Sequence, residues 1–594
     1  MNSSRTGLPL GVAPVMVGLC FPLRHCQTMK SSATLTIEQC IALKLMVDIR
    51  LFDSGTGSEP VRQLPANLVQ ALRDIQPGGV ILFRENLADI AQICELTAEL
   101  RRCISPELLV GVDQEGGCVT RLPRRECTSF SGNMALAACS PGDRATLAGD
   151  MARAQAAELL ALGINVNFVP SLDVNSNPAN PVIHVRAFGD DPEVVAELGS
   201  AVTDGIQDGG VAASLKHFPG HGDTSQDSHT GLPLVSRSAA EAHAIDLKPF
   251  ATVIARSDPA MVMTAHIQYP SLDSSTLSGN GVVRPATLSR RILTDLLRGE
   301  LGFEGVVITD AMDMGAISQM LSPLEATLEC FRAGADIALM PLLLRDTASL
   351  LALRALVDDL AAAVRAGELD EAELRTSALR VAAMRAEYAL PEPSAETSSK
   401  PRAGRALANE AHRELEARIA AGSVTALQGE GGLPASVSSV HLLMPNAESA
   451  SAMAMALTQM RPELEITYQS LTALDLALER EQVRACDAYV VGVSEPAISA
   501  VVVGGAEDLP GLADQRPATV LKALLAEAQG CHRGVVMLNS PYRAKEFYAL
   551  ADTVLASYDG AAVGLEGIPG PAYIALAAVL AGARAPTGHL PVSL

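Results

Sequence analysis

Residues 216 to 233, Lys-His-Phe-Pro-Gly-His-Gly-Asp-Thr-Ser-Gln-Asp-Ser-His-Thr-Gly-Leu-Pro, bring three histidines, two aspartates and a lysine into one short stretch. Gly and Pro are too frequent here for a helix, and the polarity is too high for a buried strand, so an ordered loop is expected. Asp227 stands two residues before His229. In an extended or turn conformation that carboxylate can approach the imidazole, fix its tautomer and raise its basicity, which is the chemistry of a general acid/base. A metal reading of Lys216, His217, His221, Asp223 and His229 is weaker. The spacing matches no closed zinc pattern and a neighbouring lysine opposes a cation, so no metal is expected. A turn-rich loop of internally satisfied histidines is the other reading of the same residues.

The elements that would position this loop are short apolar runs. Gly210 to Leu215 (GVAASL) reads as a buried strand ending where the loop begins. Eight such strands are expected, at Leu45–Ile49, Gly79–Phe83, Leu108–Val112, Ile164–Val169, Ala212–His217, Met261–His266, Gly305–Thr309 and Asp336–Met340. Amphipathic stretches lie between them, among them Leu87 to Arg102, Pro141 to Leu162, Pro192 to Gly209 and Ser289 to Leu301. Eight βα repeats over about 350 residues predict a (β/α)8 TIM-type barrel, with a doubly wound open sheet as the alternative.

Polar clusters follow several of these strands. They are Asp113-Gln-Glu-Gly-Gly with Arg121, Pro170-Ser-Leu-Asp173, Val185-Arg186-Ala-Phe-Gly, His266, and Asp310-Ala-Met-Asp313-Met. In a barrel the C-terminal strand ends share one rim, so these distant residues would converge there.

Together the motifs resemble glycoside hydrolase family 3, in particular its β-N-acetylglucosaminidases of the NagZ type. The pattern K-H-F-P-G-H-G-x-x-x-x-D-S-H matches residues 216 to 229, and D-Q-E-G-G-x-V-x-R matches Asp113 to Arg121, with Cys118 where many members have Arg. R-x-F-G matches at Arg186, although His184 replaces a common small residue nearby. The resemblance implies Asp310 as nucleophile, His229 oriented by Asp227 as acid/base, and Asp113, Arg121, Arg186, Lys216 and His217 as sugar-binding residues. Lys216 would help to keep Asp310 ionised, and Asp313 would point elsewhere. The implied reaction is retaining exo-hydrolysis of terminal β-linked GlcNAc from peptidoglycan fragments, through a glycosyl-Asp intermediate and without a cofactor. A family 3 β-glucosidase and a β-GlcNAc phosphorylase are alternatives within the resemblance. A catalytically silent sugar-binding protein is the alternative outside it.

Length and composition bound the rest. A chain of 594 residues exceeds one ordinary core and predicts two to four domains. The net charge of −22 argues against nucleic acid or an anionic membrane as partner. Eleven cysteines without C-x-x-C spacing read as reduced thiols, which favours a cytoplasmic setting. Residues 1–30 read either as an extension outside the fold, with Met29 as the start, or as a weak export or lipid-attachment signal at Val17-Gly-Leu-Cys20. The expected plan is a barrel at 31–390, a Pro/Ser-rich linker at 391–404 and a smaller α/β sandwich at 405–594. That last region has a helix over Arg405–Ala421 and strands at His441–Met444, Glu465–Tyr468, Asp487–Val493, Gly534–Asn539 and Thr553–Tyr558. The segment Ala575 to Leu594 resembles the close of two-domain members of the family.

Overall fold

The computed structural model describes residues 35–594 except 56, 227, 229, 230, 278–280, 391–405, 495–515 and 566. The expected extension at 1–30 and the expected linker at 391–404 lie outside the described residues. Residues 37–594 form one compact unit.

Eight parallel strands form the N-terminal sheet: β1 (Leu45–Asp48), β2 (Gly79–Ile81), β3 (Leu109–Val112), β4 (Val166–Asn167), β5 (Ala212–Phe218), β6 (Met261–Thr264), β7 (Val306–Ile308) and β8 (Ala338–Leu339). They follow one another in space in chain order, with β8 returning to pair with β1. A bridge between Ile308 and Ile337, and the Thr309 N–H donating to the Ile337 carbonyl at 3.0 Å, bring the last two strands together and close the barrel. Each strand is short and buried along its whole length, as in Leu45–Asp48 and Met261–Thr264. Such strands are covered by side chains inside and helices outside, so they read as continuous apolar runs rather than alternating ones.

Phe168, Met46, Leu109, Val166, Met261 and Ile308 belong to one buried cluster within the barrel. Val381 and Met384 of the helix Glu371–Glu387 join the same cluster. Burying each large aliphatic side chain is worth about 1.5–3 kcal/mol against exposure. The outer helices are delimited by local chemistry. Asp89 Oδ1 accepts from the Ala91 and Gln92 amides to start the helix Ile90–Cys103, and Ser322 with Glu325 forms a capping box for Pro323–Ala333.

The C-terminal domain holds a six-stranded sheet of β9 (Thr425–Gln428), β10 (Ser439–Met444), β11 (Glu465–Ser470), β12 (Ala488–Val493), β13 (His532–Met537) and β14 (Thr553–Ala556). The spatial order is β9-β14-β13-β12-β10-β11, parallel except for β9 against β14. The sequence reading lacks β9. Its four residues, buried Thr425 and half-buried Ala426, Leu427 and Gln428, follow the helix Glu410–Ser423 after Val424 alone, so no periodicity separates them from it.

One buried cluster crosses from the barrel into this domain. Met134, Ala135, Ala138 and Val185 pack with Tyr489, Val491, Phe547, Tyr558 and Val592. Polar contacts reinforce it: Ser129 N–H donates to Glu416 at 2.7 Å, and His412 pairs with Glu158 at 3.0 Å.

Candidate active site

Strand β5 carries the centre of the site. Its ladder with β6 is interrupted between Leu215 and Phe218, and Lys216 instead bonds through its backbone to Pro170 and Leu172 beyond β4. An irregularity of this kind re-aims side chains at a strand end. Lys216 then reaches toward β3, where its Nζ lies 2.8 Å from Asp113 Oδ1 and 2.6 Å from Glu115 Oε1. Glu115 also takes a bidentate pair from Arg186, with Nε at 3.0 Å and Nη2 at 2.8 Å. Burial alone would oppose ionisation of Glu115, but the Arg186 and Lys216 charges outweigh it and hold the carboxyl far below its usual range. Half-buried Asp113 with buried Glu115, Arg186 and Lys216 therefore forms a quartet of two acidic and two basic side chains.

His217 turns the other way. Its Nδ1 lies 2.7 Å from Asp173 Oδ2, while Asp173 Oδ1 accepts from the His217 and His221 amides at 3.3 and 2.7 Å. Ser171 donates a further bond to Oδ2 at 2.9 Å. Burial again opposes the charge on Asp173, and His217 with the amide donors overcomes it. A carboxylate fully enclosed by donors cannot approach a sugar, so Asp173 is a loop anchor.

The loop itself is shaped by close backbone approach. A Cβ at Gly222 would meet the Val174 carbonyl oxygen at 1.9 Å, and Gly220 has φ +130 with Asp246 Cβ 2.7 Å from where its own Cβ would be. Larger residues cannot occupy either position without moving the chain. Asn180 Nδ2 donates to the His221 carbonyl at 2.8 Å, and Arg237 bridges Asp223 at 3.2 Å and Asp246 at 2.7 Å.

Asp227 and His229 lie outside the described residues, but Ser228 between them is described and buried. The Ser228 carbonyl accepts from the Ala316 amide at 3.0 Å, on the short helix Gly315–Ser318 that follows β7. Its hydroxyl lies 3.4 Å from His221 Nε2, and His221 Nδ1 lies 2.8 Å from Thr224 Oγ1. Burial lowers the His221 pKa to about 4, so this imidazole is neutral at neutral pH.

Asp310 sits just past β7, and its charge acts on His221, which places the two as neighbours. Its Oδ1 accepts from the Ala311 amide at 2.8 Å, and buried His266 donates from Nε2 to the Ala311 carbonyl at 2.9 Å. Asp313 belongs to different surroundings. Burial, then the charge of Asp48, raise its pKa to about 6, with Arg50 and Arg345 as its cationic neighbours. Arg121 is half-buried, and its amide donates to Gln114 Oε1 at 2.9 Å.

Six of the eight residues singled out from sequence are thus described: Lys216 and His217 lie near the end of β5 at the rim, and Asp113, Arg121, Arg186 and Asp310 lie past the strand ends of the same rim. The direct ion-pair partners of Lys216 are Asp113 and Glu115. Glu115, Asp173 and Ser228 were not singled out as site residues. Glu115 could have been found from its place inside Asp-Gln-Glu-Gly-Gly, and Ser228 from its place inside Asp-Ser-His.

The C-terminal domain touches this rim. Asn175 donates to the Tyr542 hydroxyl at 2.6 Å and accepts from the His184 amide at 3.0 Å. The His184 and Tyr542 rings stand 5.0 Å apart, with Ser540 Oγ 3.2 Å from His184 Nε2. Val185, between His184 and Arg186, belongs to the shared core. Among the described residues no group of three or more His, Cys, Asp or Glu could hold a metal ion, and no helix is long and apolar enough to cross a membrane.

Comparison with known proteins agrees with this geometry. Residues 43–384 match the profile of the glycosyl hydrolase family 3 N terminal domain. The chain is 40% identical over 589 residues to beta-hexosaminidase A of Pseudoalteromonas piscicida, covering 94% of this chain and 97% of that protein. It is 39% identical over 278 residues to a beta-hexosaminidase of Neisseria meningitidis, covering 46% of this chain and 73% of that one. The solved structure of a family 3 beta-N-acetylglucosaminidase from Paenibacillus sp. aligns with a TM-score of 0.78 at 32% identity, over 94% of this chain and 99% of that one. A two-domain architecture, a closed barrel with its polar clusters on one rim, and similarity along nearly the whole chain lead to one assignment: the protein belongs to glycosyl hydrolase family 3.

Proposed function

We propose that the protein is a retaining β-N-acetylglucosaminidase that removes terminal β-linked GlcNAc from peptidoglycan fragments in the cytoplasm. Asp310 attacks the anomeric carbon as the glycosidic bond breaks, and the leaving oxygen takes a proton from His229. In the second step His229 takes a proton from water, the water oxygen attacks the anomeric carbon, and the ester bond to Asp310 breaks. Asp227 orients His229. Using an imidazole keeps a second carboxylate from facing the nucleophile. Asp113, Arg121, Arg186, Lys216 and His217 bind the sugar, with Arg186 and Lys216 held by Glu115 and His217 held by Asp173. Positioning of this kind lowers the barrier as well as improving affinity.

The observation that carries the reading is the attachment of Ser228. The residue centred in Asp227-Ser228-His229 is tied to His221 on one side and, through Ala316, to the segment after Asp310 on the other. The names of the relatives support the choice of hexosaminide over glucoside.

The decisive test varies the leaving group. With a very acidic phenol as leaving group, His229→Ala should form the glycosyl-enzyme almost normally and then stall, giving a burst. With a sugar or basic alcohol the first step itself should slow by about 10²–10⁴-fold. Equal losses on both substrate types without a burst would sink the acid/base assignment. Repeating the assays on aryl β-GlcNAc and aryl β-glucoside, with and without phosphate, separates this reading from a glucosidase or a phosphorylase.

A further inference from the structure

Away from the catalytic rim, two cysteines occupy neighbouring strand ends in the C-terminal domain. Cys486 closes the helix Leu476–Ala485 just before β12, and Cys531 stands just before β13. The two strands pair in parallel with Ala488 opposite His532, and the His532 amide donates to the Asp487 carbonyl at 2.8 Å. Extending that register puts Cys531 opposite Asp487 and one step diagonal from Cys486. With strands about 4.8 Å apart and a rise of about 3.3 Å per residue, the two Cα atoms are roughly 6 Å apart. That separation lies within the range a disulfide spans.

The side chains turn toward each other. Each thiol perturbs the titration of the other, as neighbouring sulfurs do, and both side chains pack at the edge of the same core. Cys486 Sγ is 3.5 Å from the Val483 carbonyl, and Cys531 Sγ is 3.8 Å from the Ala528 carbonyl. Both residues are half-buried, whereas Cys40, Cys103, Cys127, Cys139 and Cys330 are buried. The chemistry differs as well. The neighbouring Cys486 thiol lowers the Cys531 pKa to about 7, while burial pushes Cys118, Cys139 and Cys330 up to about 12. Only a thiolate is a good nucleophile, so within this set Cys531 is the reactive sulfur and Cys486 stands ready as its partner.

We propose that Cys486 and Cys531 form a reversible dithiol–disulfide pair, oxidised by peroxides, that staples β12 to β13. The Cys531 thiolate attacks a peroxide oxygen, the O–O bond breaks, and hydroxide leaves, taking up a proton to become water. Cys531 is now a sulfenic acid. Cys486 sulfur attacks it, the S–O bond breaks, and a second water leaves with the proton that Cys486 gives up. Two thiols lose two electrons and one peroxide is reduced to two waters. A dithiol reductant reverses the change. Because the pair sits at the opposite end of β13 from Ser540 and Tyr542, the staple acts on stability and not on turnover.

The test uses the reduced full-length protein and one equivalent of hydrogen peroxide, followed by non-reducing peptide mapping and thiol counting in denaturant. The expected product is a cross-linked peptide pair containing Cys486 and Cys531, with two thiols lost and both recovered with dithiothreitol. Oxidation should raise the melting temperature by a few degrees without changing the rate on an aryl glycoside. Cys486→Ser should leave Cys531 as a sulfenic acid that dimedone traps. Thiol loss spread over other cysteines, or consumption of Cys531 without a link to Cys486, would overturn the proposal. The wild-type peptide map decides this even if the variant fails to fold.

Discussion

Among the described residues two lysines are buried, one at each end of the barrel, and they meet different surroundings. Lys44 precedes β1 at the N-terminal end, and Lys216 lies near the end of β5 at the C-terminal rim. Lys44 donates to the Ala335 carbonyl at 2.9 Å and to the Ser377 hydroxyl, both neutral. The nearby carboxylate, Asp336, is held by Arg298 and Arg380 at 2.5 Å each, and burial lowers the Lys44 pKa to about 8. Lys216 touches two carboxylates directly. A cavity of about 410 Å³ opens beside Lys44, Arg298, Phe331 and Arg380, at the end of the barrel where this fold does not place its chemistry. Buried charge occurs at both ends, and this cavity lies at the end opposite the site, so neither feature identifies the site. What separates the rim is that its network also presents partly exposed carboxylates, Asp113 and Asp310, beside a loop tied down at several points.

The largest effect that would sharpen this comparison comes from Asp310→Ala. It should reduce turnover by several orders of magnitude and abolish labelling by a 5-fluoro glycosyl inhibitor. Asp336→Asn, at the other end, should leave the rate per folded molecule unchanged. A label found on Asp313 would show that the reactive carboxylate has been misassigned.

Next in size is Glu115→Gln. It leaves Arg186 and Lys216 buried with less counter-charge, which should cost roughly 3–5 kcal/mol of stability. Weaker substrate binding should accompany this loss, even well below the melting temperature. Denaturant melts and KM on an aryl β-GlcNAc measure the two effects. A fully stable variant with unchanged KM would remove the quartet from the site.

Lys44 supplies a pH test. Its folded pKa near 8 lies below the ordinary 10.5, so between these values the unfolded chain binds more protons than the native one. Stability linked to this residue is then full above about pH 10.5 and is lost as the pH falls through about 8. Lys44→Met should remove that rise, a difference on the order of 3 kcal/mol across the window, with kcat unchanged. Parallel melts of the two proteins from pH 7 to 10.5 check it, and identical slopes would show that Lys44 is not the titrating group.

The smallest expected effect is that of Tyr542→Phe. Losing the hydrogen bond from Asn175 should cost about 1 kcal/mol and raise KM a few-fold, by loosening the loop that carries His184 and Arg186. No change in KM would mean that the C-terminal domain supports the rim by apolar packing alone.

The strands and the signature loop were legible because their causes are local. A strand of a parallel barrel is buried on both faces, so Leu45–Val47 and Met261–Met263 announce themselves as unbroken apolar runs, and Pro219, Gly220 and Gly222 end regular structure after β5. The expected meeting of the polar clusters at one rim followed from barrel topology. β9 escaped notice because four residues at a sheet edge, one buried and three half-buried, carry no period of their own.

Partnerships were decided only by the tertiary structure. That Lys216 pairs with Asp113 and Glu115, that Asp173 is enclosed beneath His217, and that Val185 belongs to a core shared with Tyr489 and Phe547 all depend on residues far apart in the chain. By itself the amino-acid sequence determined which segments of the barrel are strands, which loop is rich in acid, base and cation, and which family the chain resembles. The folded chain decided which charges neutralise one another, because Coulomb energy and hydrogen bonding depend on distance and burial in space, which spacing along the chain does not specify.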